Sequence, residues 1–213
     1  MTTVKASLKP RKSAVQARSV ATVDALHTAT LQVLTQHGLK RCTTTRVAER
    51  AGMSVGSLYQ YYPNRDALLA AVLEKHLLEV VETVELACAR YHGKAVAEMA
   101  AGFVSAFLAV KLRNPTASKA LYAIAAERGG AELMARIGER MVAAIANMLA
   151  TAADAHFEAP ALVAQVSLHA VIGPVRAMLE GFSPPDFTEC LEQQLTLLLT
   201  AYLQVHQSVK SRP

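Results

Sequence analysis

Apolar residues recur along this chain at helical spacing, with no alternating runs that would mark strands. From Ala14 to His37, Val15, Val20, Val23, Leu26, Ala29, Thr30, Val33 and Leu34 share a face, and Gly38 supplies a stop. Thr43 and Thr44 offer an N-cap to a short second helix with Val47, Ala48 and Ala51 on its inner side, ended by Gly52. Ser54 caps a third, from Val55 to Tyr61 or Tyr62, which must stop before Pro63 because the residue preceding proline avoids helical geometry. Asn64 then opens a long helix, about Arg65 to Arg90, with apolar positions from Leu68 to Leu86.

Five further amphipathic helices are predicted at about Ala95–Arg113, Pro115–Arg128, Ala131–His156, Pro160–Glu180 and Pro185–Gln207. Gly93, Asn114, Gly129 with Gly130, and the Gly181, Pro184, Pro185 cluster separate them. Gly173-Pro174 should kink the fourth of these, since proline removes a helical hydrogen bond. The pattern therefore gives an all-α fold of about nine helices. With 213 residues the chain is long enough to bury a core without disulfide or metal staples.

Composition agrees: 52% hydrophobic residues but only 5% aromatic, and no Trp, disfavour an all-β fold. The three cysteines, Cys42, Cys88 and Cys190, are far apart and lack C-x-x-C spacing, so neither a disulfide framework nor a zinc site is expected, although Cys42 is a candidate redox handle. The first residues, Met1 to Ser13, are basic with no apolar segment after them, and no uninterrupted apolar run has the length of a membrane span. A soluble cytoplasmic location without membrane contact is the resulting expectation.

Charge changes the picture more than composition does. Residues 1–65 hold ten Lys or Arg against two acids, whereas the remainder holds twelve against fifteen. The surplus that seeks a polyanion is thus confined to the N-terminal third. Within it, residues 1–13 read as a flexible basic arm able to follow a phosphate backbone, and Thr44 to Tyr62 read as helix, tight turn, helix. In a helix-turn-helix the second helix lies in the major groove with its N-terminal residues at base edges. Val55 suits a thymine methyl, Gly56 permits close approach, and Ser57 and Gln60 can hydrogen-bond to bases.

The run from Thr43 to Leu69, TTTRVAERAGMSVGSLYQYYPNRDALL, resembles the TetR (AcrR-like) family of transcriptional regulators. The match extends over about residues 14–80, through the Leu58-Tyr59 pair, aromatic Tyr62 and the Asn64-Arg65 step, with Tyr62 standing where Phe is commoner. The resemblance implies a DNA-binding domain at 14–64 and a helical effector-binding and dimerisation domain at 65–213. It implies that Thr44, Thr45 and Arg46 hold phosphates, that Val55, Gly56, Ser57, Gln60 and Tyr61 face the major groove, and that Tyr59 and Arg65 grip the flanking backbone. Leu58 and Tyr62 should instead point inward, against Val47, Ala48 and the first helix. A stacking platform for single strands made of Tyr59, Tyr61 and Tyr62 competes poorly, because there is no sheet to carry it.

For the C-terminal region the candidate effector-pocket residues are Phe103, Phe107, Val110, Tyr122, Met141, Ile145, His169, Ile172, Arg176 and Met178, each of which could equally pack the core. His156 is a further cavity candidate beside Phe157. Arg176 suits an anionic effector or a pair with Glu180. The last two helices carry apolar stripes, Leu162, Val166, Ala170 and Gly173 on one and Phe187, Leu191, Leu195, Leu198 and Tyr202 on the other. By resemblance these form a two-fold four-helix interface between copies.

No H-E-x-x-H, glycine-rich phosphate loop, nucleophile elbow or paired-carboxylate pattern is present, so neither enzyme activity nor a metal or other cofactor is expected. The reading is a homodimeric regulator, a repressor released from a palindromic double-stranded operator by a small, largely apolar effector. Its recognition helices would sit about 34 to 36 Å apart, with the long helix from Arg65 as the lever between effector and DNA. The alternative is a constitutive regulator or activator whose C-terminal domain only dimerises.

Overall fold

A computed structural model describes residues 11–126, 130–184 and 186–205, with side chains from Ser19 onward. The order is α1 (Arg11–His37), a single 3-10 turn (Leu39–Arg41), α2 (Thr44–Arg50), α3 (Val55–Tyr59), α4 (Arg65–Arg90), α5 (Val96–Leu112), α6 (Pro115–Ala125), α7 (Gly130–Leu149), α8 (Pro160–Glu180) and α9 (Phe187–Val205). Nine α-helices and no strand occur among the described residues, as the apolar spacing predicts. The chain divides into two compact units between Val72 and Leu73, inside α4.

In the first unit, Leu26, Ala29, Val33 and Leu34 of α1 are buried together with Val47 and Ala48 of α2, Leu58 of α3 and Leu68, Leu69 and Val72 of α4. Each short helix is closed by local chemistry. The Thr43 hydroxyl accepts from the Arg46 amide, and the Ser54 hydroxyl accepts from the Ser57 amide at 3.0 Å. After α2, the Gly52 amide donates to Glu49 O and the Met53 amide to Ala48 O, with Gly52 at φ 69, a conformation that glycine adopts without a Cβ penalty. The flexible arm expected over residues 1–13 is not borne out at its end, where Arg11 to Ser13 belong to α1; residues 1–10 lie outside the described residues.

In the second unit α7 packs on α8, α5 on α9, α8 on α9 and α6 on α8. α4, α6 and α8 start where predicted, but α7 ends at Leu149, well short of His156. The alanines at 150, 152, 153 and 155 read as helix, yet that segment is needed elsewhere. Asp154 accepts the backbone N–H of Val96 at 2.9 Å and Thr151 Oγ1 that of Gly93 at 2.9 Å, so the loop satisfies amides just before and at the start of α5. Ala152, Ala155 and Phe157 are buried by the same loop. α6 ends at Ala125, not Arg128, and residues 127–129 lie outside the described residues, as do Pro185 and Gln207 at the expected ends of α9. Gly130 opens α7 against the backbone carbonyl of Ala125, an approach that leaves no room for a Cβ.

α8 runs unbroken in secondary structure through Pro174. By length and hydropathy it alone among the described helices could cross a membrane, a possibility that counting uninterrupted apolar residues overlooked. Its apolar content goes in part into the unit's own interior, where Val163, Ala164, Leu168, Val171 and Val175 are buried.

Candidate nucleic-acid interface and internal cavity

α2, the turn at Gly52-Met53 and α3 form the predicted helix-turn-helix, with Leu58 fully buried as its anchor. Tyr62, half-buried, has its hydroxyl 2.7 Å from Nε2 of His27 on α1, and burial with the nearby Asp24 carboxylate pushes its phenol pKa up, so it stays neutral. Tyr62 thereby ties the segment after α3 to α1, while α3 itself packs on α2.

The outward residues divide by exposure. Thr45, Arg46, Gly56, Tyr59 and Gln60 are exposed, while Thr44, Val55, Ser57, Tyr61 and Arg65 are half-buried. The Thr44 and Tyr59 hydroxyls lie 3.3 Å apart, linking the start of α2 to the end of α3. Gly56 has ordinary helical backbone, and a Cβ there would meet only Ser54 Oγ at 3.7 Å. The fold itself therefore does not demand glycine at 56.

Basic side chains surround this surface: Lys40, Arg41, Arg46 and Arg50 are exposed, with Glu49 the acid among them. Arg50 Nε donates to Gln32 Oε1 at 2.6 Å and Arg46 donates to the Arg41 carbonyl at 3.0 Å, so both guanidinium groups are held in place while remaining at the surface. Arg65 departs from expectation. Its Nε donates to Cys42 O and an Nη to Leu39 O, each at 2.7 Å, and its other Nη contacts Asp66. That guanidinium ties the start of α4 to the 3-10 turn, and its main commitment is to backbone carbonyls within the unit.

Cys42, the candidate redox handle, is 1% exposed. Burial pushes its thiol up in pKa, opposed by Arg65, so it lacks the exposed electropositive setting that thiolate chemistry needs.

The second unit holds a cavity of about 40 Å³ lined by Leu73, His76, Leu77 and Val80 of α4, Phe107 and Lys111 of α5, Ser118, Leu121, Tyr122 and Ala125 of α6, Met134 and Met141 of α7, and Ile172 of α8. Of the candidates read from sequence, Phe107, Tyr122, Met141 and Ile172 line it. Phe103, Val110 and Ile145 are buried but do not, and Met178 borders a separate surface groove near Pro115. His169, expected inward, is exposed and hydrogen-bonded to Gln165 of its own helix; His156 is exposed as well. Arg176 is exposed and its Nε donates to Glu180 Oε1 at 2.9 Å, the internal pair that the spacing allowed.

Sequence reading missed the polar corner of the cavity. Lys111 is 5% exposed, its Nζ 3.4 Å from His76 Nε2 and 4.5 Å from the centre of the Tyr122 ring. Burial, reinforced by Lys111, drives His76 down to about 4, and burial lowers Lys111 to about 8. At neutral pH the imidazole is thus neutral, its Nε2 free of hydrogen and able to accept from the ammonium. Tyr122 is pushed up to about 12, chiefly by burial, and keeps its proton. The only sequence-level sign was a lysine at a position that α5's apolar spacing assigns to the core.

The apolar stripes of α8 and α9 also divide. Leu162, Val166 and Leu198 are exposed, joined by Leu197 and Val205, which were not among the predicted positions. Ala170, Phe187 and Tyr202 are half-buried. Leu191 and Leu195, expected at the interface, are 1% and 2% exposed within the single chain. They fill the core between α9 and its neighbours, because a helix packed on one side and open on the other carries two apolar faces that a stripe in the sequence does not separate.

Comparisons with known proteins agree with this arrangement. Residues 26–72 match the family model described as bacterial regulatory proteins, tetR family, and residues 96–203 match that of the tetracyclin repressor-like C-terminal domain. No curated protein sequence matches. Among solved structures, a Mesorhizobium loti MAFF303099 protein assigned to the TetR-family transcriptional regulators superposes with a TM-score of 0.71 at 18% identity, covering 90% of this chain and 99% of that one. A transcriptional regulator from Rhodococcus sp. RHA1 gives 0.68 at 20% identity, over 90% and 99%. The multidrug binding protein EbrR, complexed with imidazole, gives 0.62 at 15% identity, over 90% and 96%.

Proposed function

Since the chain belongs to the TetR family and is a transcriptional regulator with an N-terminal DNA-binding domain, we propose that it acts as a cytoplasmic, homodimeric repressor that leaves a palindromic operator when a small, largely apolar molecule binds. The observation that carries this reading is the cavity: a mostly apolar, partly open space in the second unit with a polar corner, a character that small-molecule sites usually have. α4 supplies Leu68, Leu69 and Val72 to the core of the first unit and Leu73, His76, Leu77 and Val80 to the cavity wall, so one helix serves both. A molecule that prefers one placement of α4 would shift the DNA-binding equilibrium by its differential affinity for the two placements.

On DNA, Arg46 with Thr44 and Thr45 holds phosphates, while Val55, Gly56, Ser57, Gln60 and Tyr61 meet base edges and Tyr59 the flanking backbone. Dimerisation uses the exposed apolar residues Leu162 and Val166 of α8 with Leu198 of α9, extended by Leu197 and Val205. Selection of bound duplexes from a random pool tests the whole reading. Enrichment of an inverted repeat, lost when a cavity-binding compound is present, is the expected result; enrichment of no sequence, or of a site without two-fold symmetry, overturns it.

A further inference from the structure

Lys111 brings a positive charge into an apolar interior without bringing an opposite one. Among the described residues it has no carboxylate partner; its near neighbours are the neutral His76 imidazole and the ring face of Tyr122, whose phenol keeps its proton. The ring face attracts the ammonium, and the imidazole accepts one of its hydrogens, but neither cancels its charge. An ammonium buried in this way is costly, and a norleucine-shaped side chain such as Met would fill the same space without the penalty. The lowered pKa of Lys111 expresses the same cost. The neighbouring cation, Arg176, stands 5.2 Å from the Tyr122 ring but is exposed and neutralised by Glu180. Lys111 is therefore the cation facing the cavity with its charge uncompensated.

We propose that this cavity takes a small organic carboxylate, its headgroup on Lys111 Nζ and its hydrocarbon body against Leu77, Phe107, Met134 and Ile172. The assignment rests on the cavity being the effector site and names the chemistry it accepts. Delivery of one negative charge to a dry, pre-placed ammonium gives a short charge-assisted hydrogen bond, stronger than the same contact in water. The space of about 40 Å³ is smaller than a six-carbon chain or a single ring, so occupation requires the lining to yield, which the flexible thioethers of Met134 and Met141 allow. A neutral molecule of the same shape would have to enter beside an unpaired charge, which sets the direction of the selectivity.

The test is calorimetric titration of the full-length protein at pH 7 with hexanoate and benzoate, and with the matched alcohols hexan-1-ol and benzyl alcohol. The wild-type chain should bind each carboxylate at least about tenfold more tightly than its alcohol, a gap of about 1.4 kcal/mol. Lys111→Met should erase that preference while keeping alcohol binding, and Lys111→Arg should retain part of it. Equal binding of acid and alcohol by the wild-type chain, no binding of either carboxylate at millimolar concentration, or an undiminished preference in Lys111→Met would each overturn the proposal. The first two outcomes need no variant, so a folding defect cannot shelter the idea. Fluorescence anisotropy on the selected duplex separates the two readings. Carboxylates that bind through Lys111 but leave DNA affinity unchanged would sink release by effector and spare the binding site. Alcohols that release DNA as well as the acids do would sink the role of Lys111 and spare release.

Discussion

Arg65 Nε donates to the carbonyl oxygen of Cys42 at 2.7 Å, which makes the first residue of α4 a clamp on the segment leading into α2. A second arm of the same guanidinium reaches Leu39 O, which also accepts the Cys42 amide, so one planar fork holds two carbonyls of the segment between α1 and α2. Replacement by Ala should cost about 2 to 3 kcal/mol of stability, the range for hydrogen bonds to charged groups, and Lys should recover little of it because an ammonium lacks the fork. DNA affinity should fall along with stability while the slope of affinity against salt stays near that of wild type. Denaturant unfolding and salt titration of DNA binding check both; a slope shallower by about one would return Arg65 to the phosphate backbone.

Gly56 and Gln60 separate fold from recognition in the opposite way. A methyl group at 56 meets nothing closer than 3.7 Å, and Ala is the better helix former, so Gly56→Ala should hold or raise stability by up to about 1 kcal/mol. The same methyl stands where a base edge must approach, and operator affinity should drop at least tenfold, by about 1.4 kcal/mol. Gln60→Ala, at an exposed position, should leave affinity for random DNA intact and flatten discrimination among operator variants by about 1 to 3 kcal/mol at one base pair. Competition binding against single-base operator variants measures this, and unchanged discrimination would remove Gln60 from base readout.

Much of the fold was legible because the signals were local. Caps at Thr43 and Ser54, stops at Gly38 and Gly52, and Pro63 after α3 each act within a few residues, and the helix-turn-helix follows from them. The overrun of α7 had the opposite cause. Whether residues 150–155 continue a helix or cap α5 depends on the Asp154 to Val96 hydrogen bond, between residues distant in sequence, which no periodicity encodes. The same holds for the cavity. Phe107 and Met141 were visible as apolar residues on inward faces, whereas Lys111 and His76, 35 residues apart, become a pair only when the fold brings their side chains together. Leu195 and Leu198 illustrate the remaining ambiguity: three residues apart on α9, both apolar, one is inside and the other open.

That last contrast is testable. Leu195 is 2% exposed and Leu198 50%. Leu195→Asp places an unpaired carboxylate in the core and should unfold the chain or cost more than about 3 kcal/mol, so loss of dimer there would say nothing about the interface. Leu198→Asp combined with Leu162→Asp should leave the protomer folded and give monomers. Circular dichroism with sizing by light scattering distinguishes the two cases, and a double variant that is folded and still dimeric would move the interface elsewhere.

His76 sets an acid limit on the second unit. Its pKa lies near 4 in the folded chain against an ordinary 6.5, so between these values the unfolded chain takes up a proton that the folded one refuses. The stabilisation is complete above pH 6.5 and is lost as pH falls through 4; the gap is worth about 3 kcal/mol. The groups facing the imidazole do not titrate in that window, since Lys111 changes charge near 8 and Tyr122 near 12. His76→Gln keeps a neutral polar group of similar size without a titrating ring. The wild-type chain should therefore lose about 2 to 3 kcal/mol more stability than this variant between pH 7 and pH 4, measured by urea unfolding. Parallel losses in the two proteins would mean that the imidazole accepts its proton in the folded state at no penalty, and that the corner around Lys111 is wetter than its burial implies.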